Sequence, residues 1–113
     1  MRPAEIFLAH FPFGDVAGRK LRPVLLLTGP VKAMPEVVVA YISSAVPATP
    51  LPSDIVIDPS TTTFLSTNLK VVSALRLHKI ATIHASSLVR YLGRMETAQF
   101  EIAADRLKAL LSL

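Results

Sequence analysis

Prolines and glycines divide this chain into short apolar runs, and this spacing constrains the fold more than any other feature of the sequence. Nine prolines and four glycines occur in 113 residues, mostly between the runs. Both residues interrupt regular helices, so short apolar segments separated by them indicate many short strands rather than a helical bundle. A chain of this length has room for one hydrophobic core, and we therefore predict a single, mainly β domain over residues 1–113.

Six runs rich in β-branched or aliphatic residues are the predicted strands. They lie at residues 5–11, 24–27, 37–42, 55–57, 71–77 and 80–83. Glycine and proline content predicts loops at 12–21 and 44–53. The Ser/Thr-rich tract 59–67 has no helical period, and we expect a loop or a poor strand there.

Only the C-terminus has a helical pattern, which begins at Glu96 or Thr97. Apolar residues recur there at intervals of three and four and share one face. They are Phe100, Ala103, Ala104, Leu107, Leu110 and Leu111. The two opening residues can cap the first backbone amides, and Arg106 and Lys108 suit the negative end of the helix dipole. This amphipathic helix is expected to pack on the sheet or at an interface.

Composition excludes several classes of protein. Hydrophobic residues make up 51% of the chain and charged residues 18%, which excludes intrinsic disorder. The lack of cysteine excludes a disulfide scaffold and a thiolate metal site, and is typical of a cytoplasmic protein. No apolar run approaches the roughly 20 residues of a membrane-spanning helix. With neither a P-loop nor a metal-ligand motif, no cofactor or metal is expected. The net charge of +4 favours an anionic partner.

Three cations stand close together before the second predicted strand. Arg19, Lys20 and Arg22 repel one another, and a bound anion would relieve that repulsion. Pro23 biases Arg22 toward an extended backbone. The alternative is a solvated basic loop without a ligand.

Two further groups of side chains suit phosphate chemistry. Ser43 and Ser44 follow a β-branched run, where their hydroxyls can donate to a phosphate, although such hydroxyls more often cap a turn. Arg76 and His78 share one face of a predicted strand. The arginine can stabilise a phosphate while the imidazole exchanges a proton, but an ordinary exposed strand face gives the same pattern.

The order of several segments resembles the MazF/PemK family of toxin endoribonucleases from about Glu5 to the end of the chain. The segments are FPFGD, a basic loop, RPVLLLTG, VVVAYISS, SDIVID, LKVVSALRLHKIATI, SSLVRYLGRM and the terminal helix. The resemblance implies a small SH3-like β-barrel with a C-terminal helix, a homodimer, and an antitoxin partner that covers the RNA site. It also implies metal-independent cleavage of single-stranded RNA, in which a ribose 2′-hydroxyl attacks the adjacent phosphate and leaves a cyclic phosphate and a 5′-hydroxyl.

The same resemblance assigns roles to single residues. Arg22 corresponds to the family's catalytic arginine, and Ser43 to the threonine at the end of its strand, with Ser44 as the register alternative. Arg76 matches a functional arginine of PemK-type members. His78 stands where those members carry an aspartate, and we expect it to exchange the proton. The residues expected to bind RNA are Arg19, Lys20, Ser44 and Lys79.

Two carboxylates of the family are absent from this sequence. Besides the aspartate replaced by His78, MazF-type members have a glutamate shortly before the Arg-Pro motif, where this chain offers Ala17 and Gly18, with Asp15 as the only carboxylate in the loop. These losses leave two alternatives to an enzyme. One is a non-catalytic module on the same barrel that binds RNA or, like CcdB-type relatives, a topoisomerase. The other is an inactive member retained for heterodimerisation or for antitoxin capture.

Overall fold

The structure, a computed structural model, describes residues 1–10 and 21–113. The expectations for Asp15, Arg19 and Lys20, and for most of the predicted 12–21 loop, lie outside these residues. The elements are β1 (Glu5–His10), β2 (Leu21–Leu26), β3 (Glu36–Ser43), β4 (Asp54–Ile57), α1 (Thr63–Thr67), β5 (Ser73–His84), β6 (Leu88–Arg94) and α2 (Thr97–Leu110), with a 3₁₀ turn (Ala85–Ser87) before β6.

The six strands form one antiparallel sheet in the order β4-β5-β3-β2-β1-β6. The mainly β fold with a C-terminal helix is confirmed. In the described part of the chain, however, the two outer strands β4 and β6 do not pair with each other. The sheet is therefore open, and the predicted word "barrel" fits it only loosely.

Strand β5 corrects the prediction of two separate strands at 71–77 and 80–83. Its pairing with β3 passes from Ala40 opposite Ile80 to Tyr41 opposite Arg76, so residues 77–79 are extra on the β5 side. Such a bulge keeps one strand continuous although its local pairing is interrupted. The polar residues within the bulge resemble the end of a strand in the sequence, which explains the error. The first four predicted strands coincide with β1 to β4 within a few residues.

Two elements, β6 and α1, were not predicted. Most residues of β6 are exposed or half-buried, so the strand lacks a clear apolar alternation. The one-turn helix α1 lies in the tract for which a loop or a poor strand was predicted. The Thr67 hydroxyl donates to the Phe64 carbonyl at 2.6 Å and accepts from the Leu69 amide at 3.2 Å, and Asn68 ends the helix in a left-handed conformation. These local hydrogen bonds, together with burial of Phe64 and Thr67, stabilise α1 without a helical period.

Apolar residues cover both faces of the central strands. Leu25 and Leu75 belong to one core, onto which both helices pack, whereas Val24 and Val39 belong to a second core. Because side chains of a strand alternate between its two faces, these cores lie on opposite sides of the sheet.

The terminal helix α2 is only partly covered by the rest of the chain. Ala103 is buried, and Phe100 and Leu107 pack against the first core. Other members of the predicted apolar face, Leu110 and Leu111 among them, are exposed. Glu96 is the N-cap residue, but no side chain caps the helix, so the predicted capping role is wrong. Neither helix in residues 1–10 and 21–113 is long and apolar enough to cross a membrane.

Candidate active site

A cavity of about 640 Å³ opens where β2 begins and β3 ends. These two ends lie together because the strands are antiparallel neighbours. Residues of β1, β6 and the segment between α1 and β5 complete the wall. The lining residues are Leu8, Arg22, Pro23, Tyr41, Ile42, Ser43, Ser44, Ala45, Asn68, Leu69, Lys70, Val71, Ser73, Arg90 and Leu92.

The structure brings together Arg22 and Ser43, two of the predicted catalytic residues. Val24 pairs with Tyr41 in the ladder between β2 and β3, and this pair lies two residues from Arg22 on one strand and two residues from Ser43 on the other. Arg22 is half-buried and lines the cavity, as do Ser43 and Ser44. A guanidinium and two hydroxyls therefore share one concave wall.

The hydroxyl of Ser43 also caps a turn, which was the alternative interpretation of its position. Its Oγ accepts the backbone amide of Ala45 at 3.1 Å. The hydroxyl proton is left with the Ala45 carbonyl at 3.5 Å, which is long for an O–H donor. The turn thus fixes the oxygen while its proton stays weakly held, so the same side chain can donate to a ligand in the cavity.

Two cations of the cavity were missed by sequence reasoning. Arg90 lies on β6 opposite Leu8, and Lys70 lies in the segment that follows α1. Together with Arg22 they give the cavity three positive charges, and none of the described residues that line it is acidic. Such a wall attracts anions. Recognising β6 as a strand would have placed Arg90 on the face of its partner Leu8.

Arg76 and His78 do not line this cavity. They surround Asp54, whose side chain is 0% exposed, in an assembly that we call the Asp54 cluster (Asp54, Arg76 and His78). Arg76 donates from Nε to Asp54 Oδ1 at 2.8 Å, and His78 Nδ1 lies 3.9 Å from the same oxygen. The predicted catalytic residues therefore form two groups, with Arg22 and Ser43 in one and Arg76 and His78 in the other.

His78 is held in its neutral form by its surroundings. Partial burial lowers the pKa of its imidazole below the usual 6.5, and the charges of Arg76 and Lys79 lower it further, against the opposing effect of Asp54. The contact with Asp54 at 3.9 Å is therefore not an ion pair at neutral pH. A neutral imidazole can accept a proton.

Tyr41 connects the two groups. It lines the cavity, and it stands opposite Arg76 in the ladder between β3 and β5. Lys79 Nζ lies 5.6 Å from the centre of the Tyr41 ring, so the predicted RNA-binding lysine is next to the cavity although it does not line it. The Asp54 cluster and the cavity are thus neighbours across one aromatic side chain. Throughout the described ranges, no group of three or more histidine, aspartate and glutamate side chains could hold a metal ion.

Comparison with protein families identifies one match over nearly the whole chain. The model described as "PemK-like, MazF-like toxin of type II toxin-antitoxin system" matches residues 2–111. A comparison with curated proteins finds no match.

Solved structures share this fold at low sequence identity. The Mycobacterium tuberculosis toxin MazF-mt6 is 24% identical, with a TM-score of 0.74 over 96% of this chain and 97% of that chain. An endoribonuclease in complex with its cognate antitoxin, from a mycobacterial species, is 16% identical, with a TM-score of 0.74 over 100% of this chain and 96% of that chain. A further mycobacterial endoribonuclease is 17% identical, with a TM-score of 0.72 over 100% of this chain and 92% of that one.

Proposed function

The chain belongs to the PemK-like, MazF-like toxins of type II toxin-antitoxin systems, and we propose that its cavity is where it cuts single-stranded RNA. The observation that carries this proposal is the cavity wall, on which three cations and several hydroxyls meet without any acidic residue among those described. This wall suits a polyanion. The structural neighbours named as endoribonucleases support the same reaction.

The proposed reaction is transfer of the phosphate to the neighbouring ribose. The 2′-hydroxyl loses its proton and attacks the phosphorus, and the bond to the 5′-oxygen breaks. The 5′-oxygen takes up a proton from water, so that a cyclic phosphate and a 5′-hydroxyl result. Arg22 binds two phosphate oxygens through its planar guanidinium and stabilises the extra charge of the phosphorane. Ser43 donates its hydroxyl to the same group. Lys70 and Arg90 bind the flanking backbone.

The proton of the attacking hydroxyl needs an acceptor, and none of the described cavity residues is an aspartate, glutamate or histidine. We assign this role to His78, which is neutral at pH 7 because its pKa is lowered. The RNA strand then runs from Arg22 across Tyr41 to Arg76 and Lys79. Arg19 and Lys20 remain proposed contacts to the RNA backbone.

The proposed partners follow the family. One neighbour is in complex with its cognate antitoxin, and we propose that an antitoxin binds this chain as well. We also propose a homodimer, supported by the apolar side chains that α2 leaves exposed, such as Ile102 and Leu110. We further propose that the protein acts on RNA in the cytoplasm.

The test is incubation of the purified protein with a diverse pool of labelled single-stranded RNA in EDTA, which inhibits contaminating metal-dependent nucleases. Wild-type protein is expected to give discrete cuts that end in cyclic phosphate, and Arg22→Ala is expected to remove them. Arg2→Ala is the matched control, because Arg2 is an exposed arginine that does not line the cavity. Expression of the same variants in cells should show growth inhibition lost only with Arg22→Ala.

A folded wild-type protein that cuts no RNA would contradict the proposal. Antitoxin binding without cleavage would then indicate an inactive family member. RNA binding without cleavage would indicate a non-catalytic module.

A further inference from the structure

Asp54 is a buried carboxylate to which the proposed reaction gives no role. Its side chain is 0% exposed, and both of its oxygens are occupied. Oδ2 accepts the Leu51 amide at 2.8 Å, and Oδ1 accepts Arg76 Nε at 2.8 Å. Arg106 of α2 donates to the backbone carbonyl of Asp54. A loop, a neighbouring strand and a helix thus all hold this residue in place.

Arg76 is attached to Asp54 by one of its three guanidinium nitrogens. Among the described residues, the side chain of Arg76 donates only this one hydrogen bond, from Nε to Asp54. Its side chain is 17% exposed, in contrast to the fully buried aspartate. The two terminal nitrogens, which form the fork that binds phosphate oxygens in pairs, are left without a partner among these residues.

Asp54, Arg76 and Tyr41 lie in one row across the sheet. Asp54 is opposite Arg76 in the pairing of β4 with β5, and Arg76 is opposite Tyr41 in the pairing of β5 with β3. Residues directly opposite in a sheet share a face, so the row leads from the buried carboxylate through the arginine to the tyrosine of the cavity wall. The guanidinium is therefore anchored on the side away from the cavity.

Stability alone gives a poor reason for this pair. Removing a carboxylate from water is costly, and well-packed apolar residues are often as stabilising as a buried ion pair. A buried acid that accepts from Nε does something that an apolar residue cannot, because it fixes the plane of the guanidinium.

We propose that Asp54 is a positioning residue, which orients Arg76 so that its terminal nitrogens bind an RNA phosphate beside Tyr41. This inference rests on the proposed ribonuclease function and adds to it a residue that does not touch the substrate. Leu51 and Arg106 hold the aspartate, the aspartate holds the arginine, and the arginine binds the RNA.

A double-mutant cycle tests this. Cleavage of RNA and affinity for an uncleavable 2′-O-methyl RNA are measured for wild type, Asp54→Asn, Arg76→Ala and the double variant. Since a charge-assisted hydrogen bond is lost, Asp54→Asn is expected to lower both the cleavage rate and the RNA affinity about tenfold in the wild-type background. In the Arg76→Ala background it is expected to change neither.

The matched control is Asp58→Asn, which removes an exposed carboxylate that bonds the Ser60 amide and lies outside both groups. It should leave both measurements unchanged. Equal losses from Asp54→Asn in the two backgrounds, or losses that follow the folded fraction measured by thermal unfolding, would overturn the inference and leave Asp54 a structural role.

Arg76→Lys keeps the result decisive if Asp54→Asn does not fold. Lysine can pair with Asp54, but its single nitrogen then cannot also offer a phosphate the two parallel donors of a planar guanidinium, so we expect it to bind and cut as poorly as Arg76→Ala. Wild-type behaviour of Arg76→Lys would overturn the inference. Coupling in affinity without any cleavage by the wild type would refute the proposed reaction but support the positioning role. Neither binding nor cleavage by the wild type would refute both.

Discussion

For the proposed cleavage of RNA, the planar shape of the Arg22 guanidinium matters more than its positive charge. Arginine can donate two parallel hydrogen bonds to a phosphate, whereas lysine is a point charge. Arg22→Lys is therefore expected to keep affinity for 2′-O-methyl RNA within about threefold and to lower the cleavage rate about tenfold or more. Single-turnover cleavage and fluorescence anisotropy measure the two quantities. An unchanged cleavage rate would contradict a role for paired hydrogen bonds.

Ser43 and Ser44 both line the cavity, but only Ser43 has its oxygen fixed by a described hydrogen bond, the one from the Ala45 amide. Ser43→Ala removes a positioned donor and is expected to lower the cleavage rate on the order of a hundredfold. Ser43→Thr keeps the hydroxyl and should retain most activity. Ser44→Ala is the matched control, with an expected loss of no more than about threefold in the same cleavage rate. The reverse order of effects would assign the functional hydroxyl to Ser44.

His78 should give the cleavage reaction a pH dependence on the acid side. Its pKa is lowered, chiefly by burial, so the imidazole is neutral above pH 6.5 and becomes protonated only below it. As a proton acceptor it must be neutral, so cleavage is expected to be independent of this group above pH 6.5 and to fall as the pH drops through its pKa. The rate profile of His78→Gln should lack that acidic limb. An identical limb in the variant would exclude His78 as the acceptor.

The stability of the fold depends on the same protonation of His78. Like the cleavage rate, it is expected to fall as the pH falls. Because the pKa of His78 is lower in the folded than in the unfolded chain, the unfolded chain binds the proton more readily. Stability is then lost as the pH falls below 6.5 and is fully present above it. Thermal unfolding, recorded at each pH of the rate profile, separates this effect from the catalytic one.

Among single residues, the sequence predicts those in strong local patterns and misses those set by tertiary contacts. Arg22 and Ser43 are recognisable because they flank predicted strands. Arg90 could not be placed, since its strand is too exposed to show an apolar period. The burial of Asp54 depends on residues up to 52 positions away, which no local pattern contains.

At the scale of elements, β6 and α1 depend on each other at Gly93. A Cβ at this position would clash with the backbone oxygen of Ser66, so the strand must have glycine to approach the helix. Gly93→Ala is therefore expected to destabilise the fold by roughly 2 kcal/mol or more. Urea unfolding measures this difference.

Gly29→Ala is the control for Gly93→Ala. Its Cβ would lie 3.0 Å from the backbone oxygen of Met1, the exposed first residue, which can shift. We expect a smaller loss of stability. Equal losses from the two substitutions would mean that the contact between α1 and β6 is not rigid.

The elements that the sequence did not predict share a physical cause. The bulge of residues 77–79 arises from the pairing of β5 with β3, which the sequence of β5 does not contain. That sequence alone therefore predicts two strands. Helix α1 is one turn, closed by the hydroxyl of Thr67 and the left-handed Asn68. Long runs with a clear period, such as β3 and α2, were predicted within a few residues because local pattern and burial agree there.

For the whole molecule, the cavity exists only once distant parts of the chain meet. Arg22, Ser43, Lys70 and Arg90 come from two central strands, a connecting segment and an edge strand. The order of motifs nevertheless indicates the family, which the match over residues 2–111 confirms. The open sheet departs from the predicted barrel because β4 and β6, both edge strands, remain apart.

The most direct test of the proposed activity uses one RNA oligonucleotide and its analogue with a single 2′-deoxyribose on the 5′ side of the mapped cut. Because the 2′-hydroxyl is the proposed nucleophile, the analogue should resist cleavage at that bond while binding nearly as well. The unmodified RNA should yield a cyclic phosphate and a 5′-hydroxyl in EDTA, and Arg22→Ala should cut neither. Cleavage of the analogue at the same bond would show that the 2′-hydroxyl does not attack, and would contradict the mechanism built on Arg22 and Ser43.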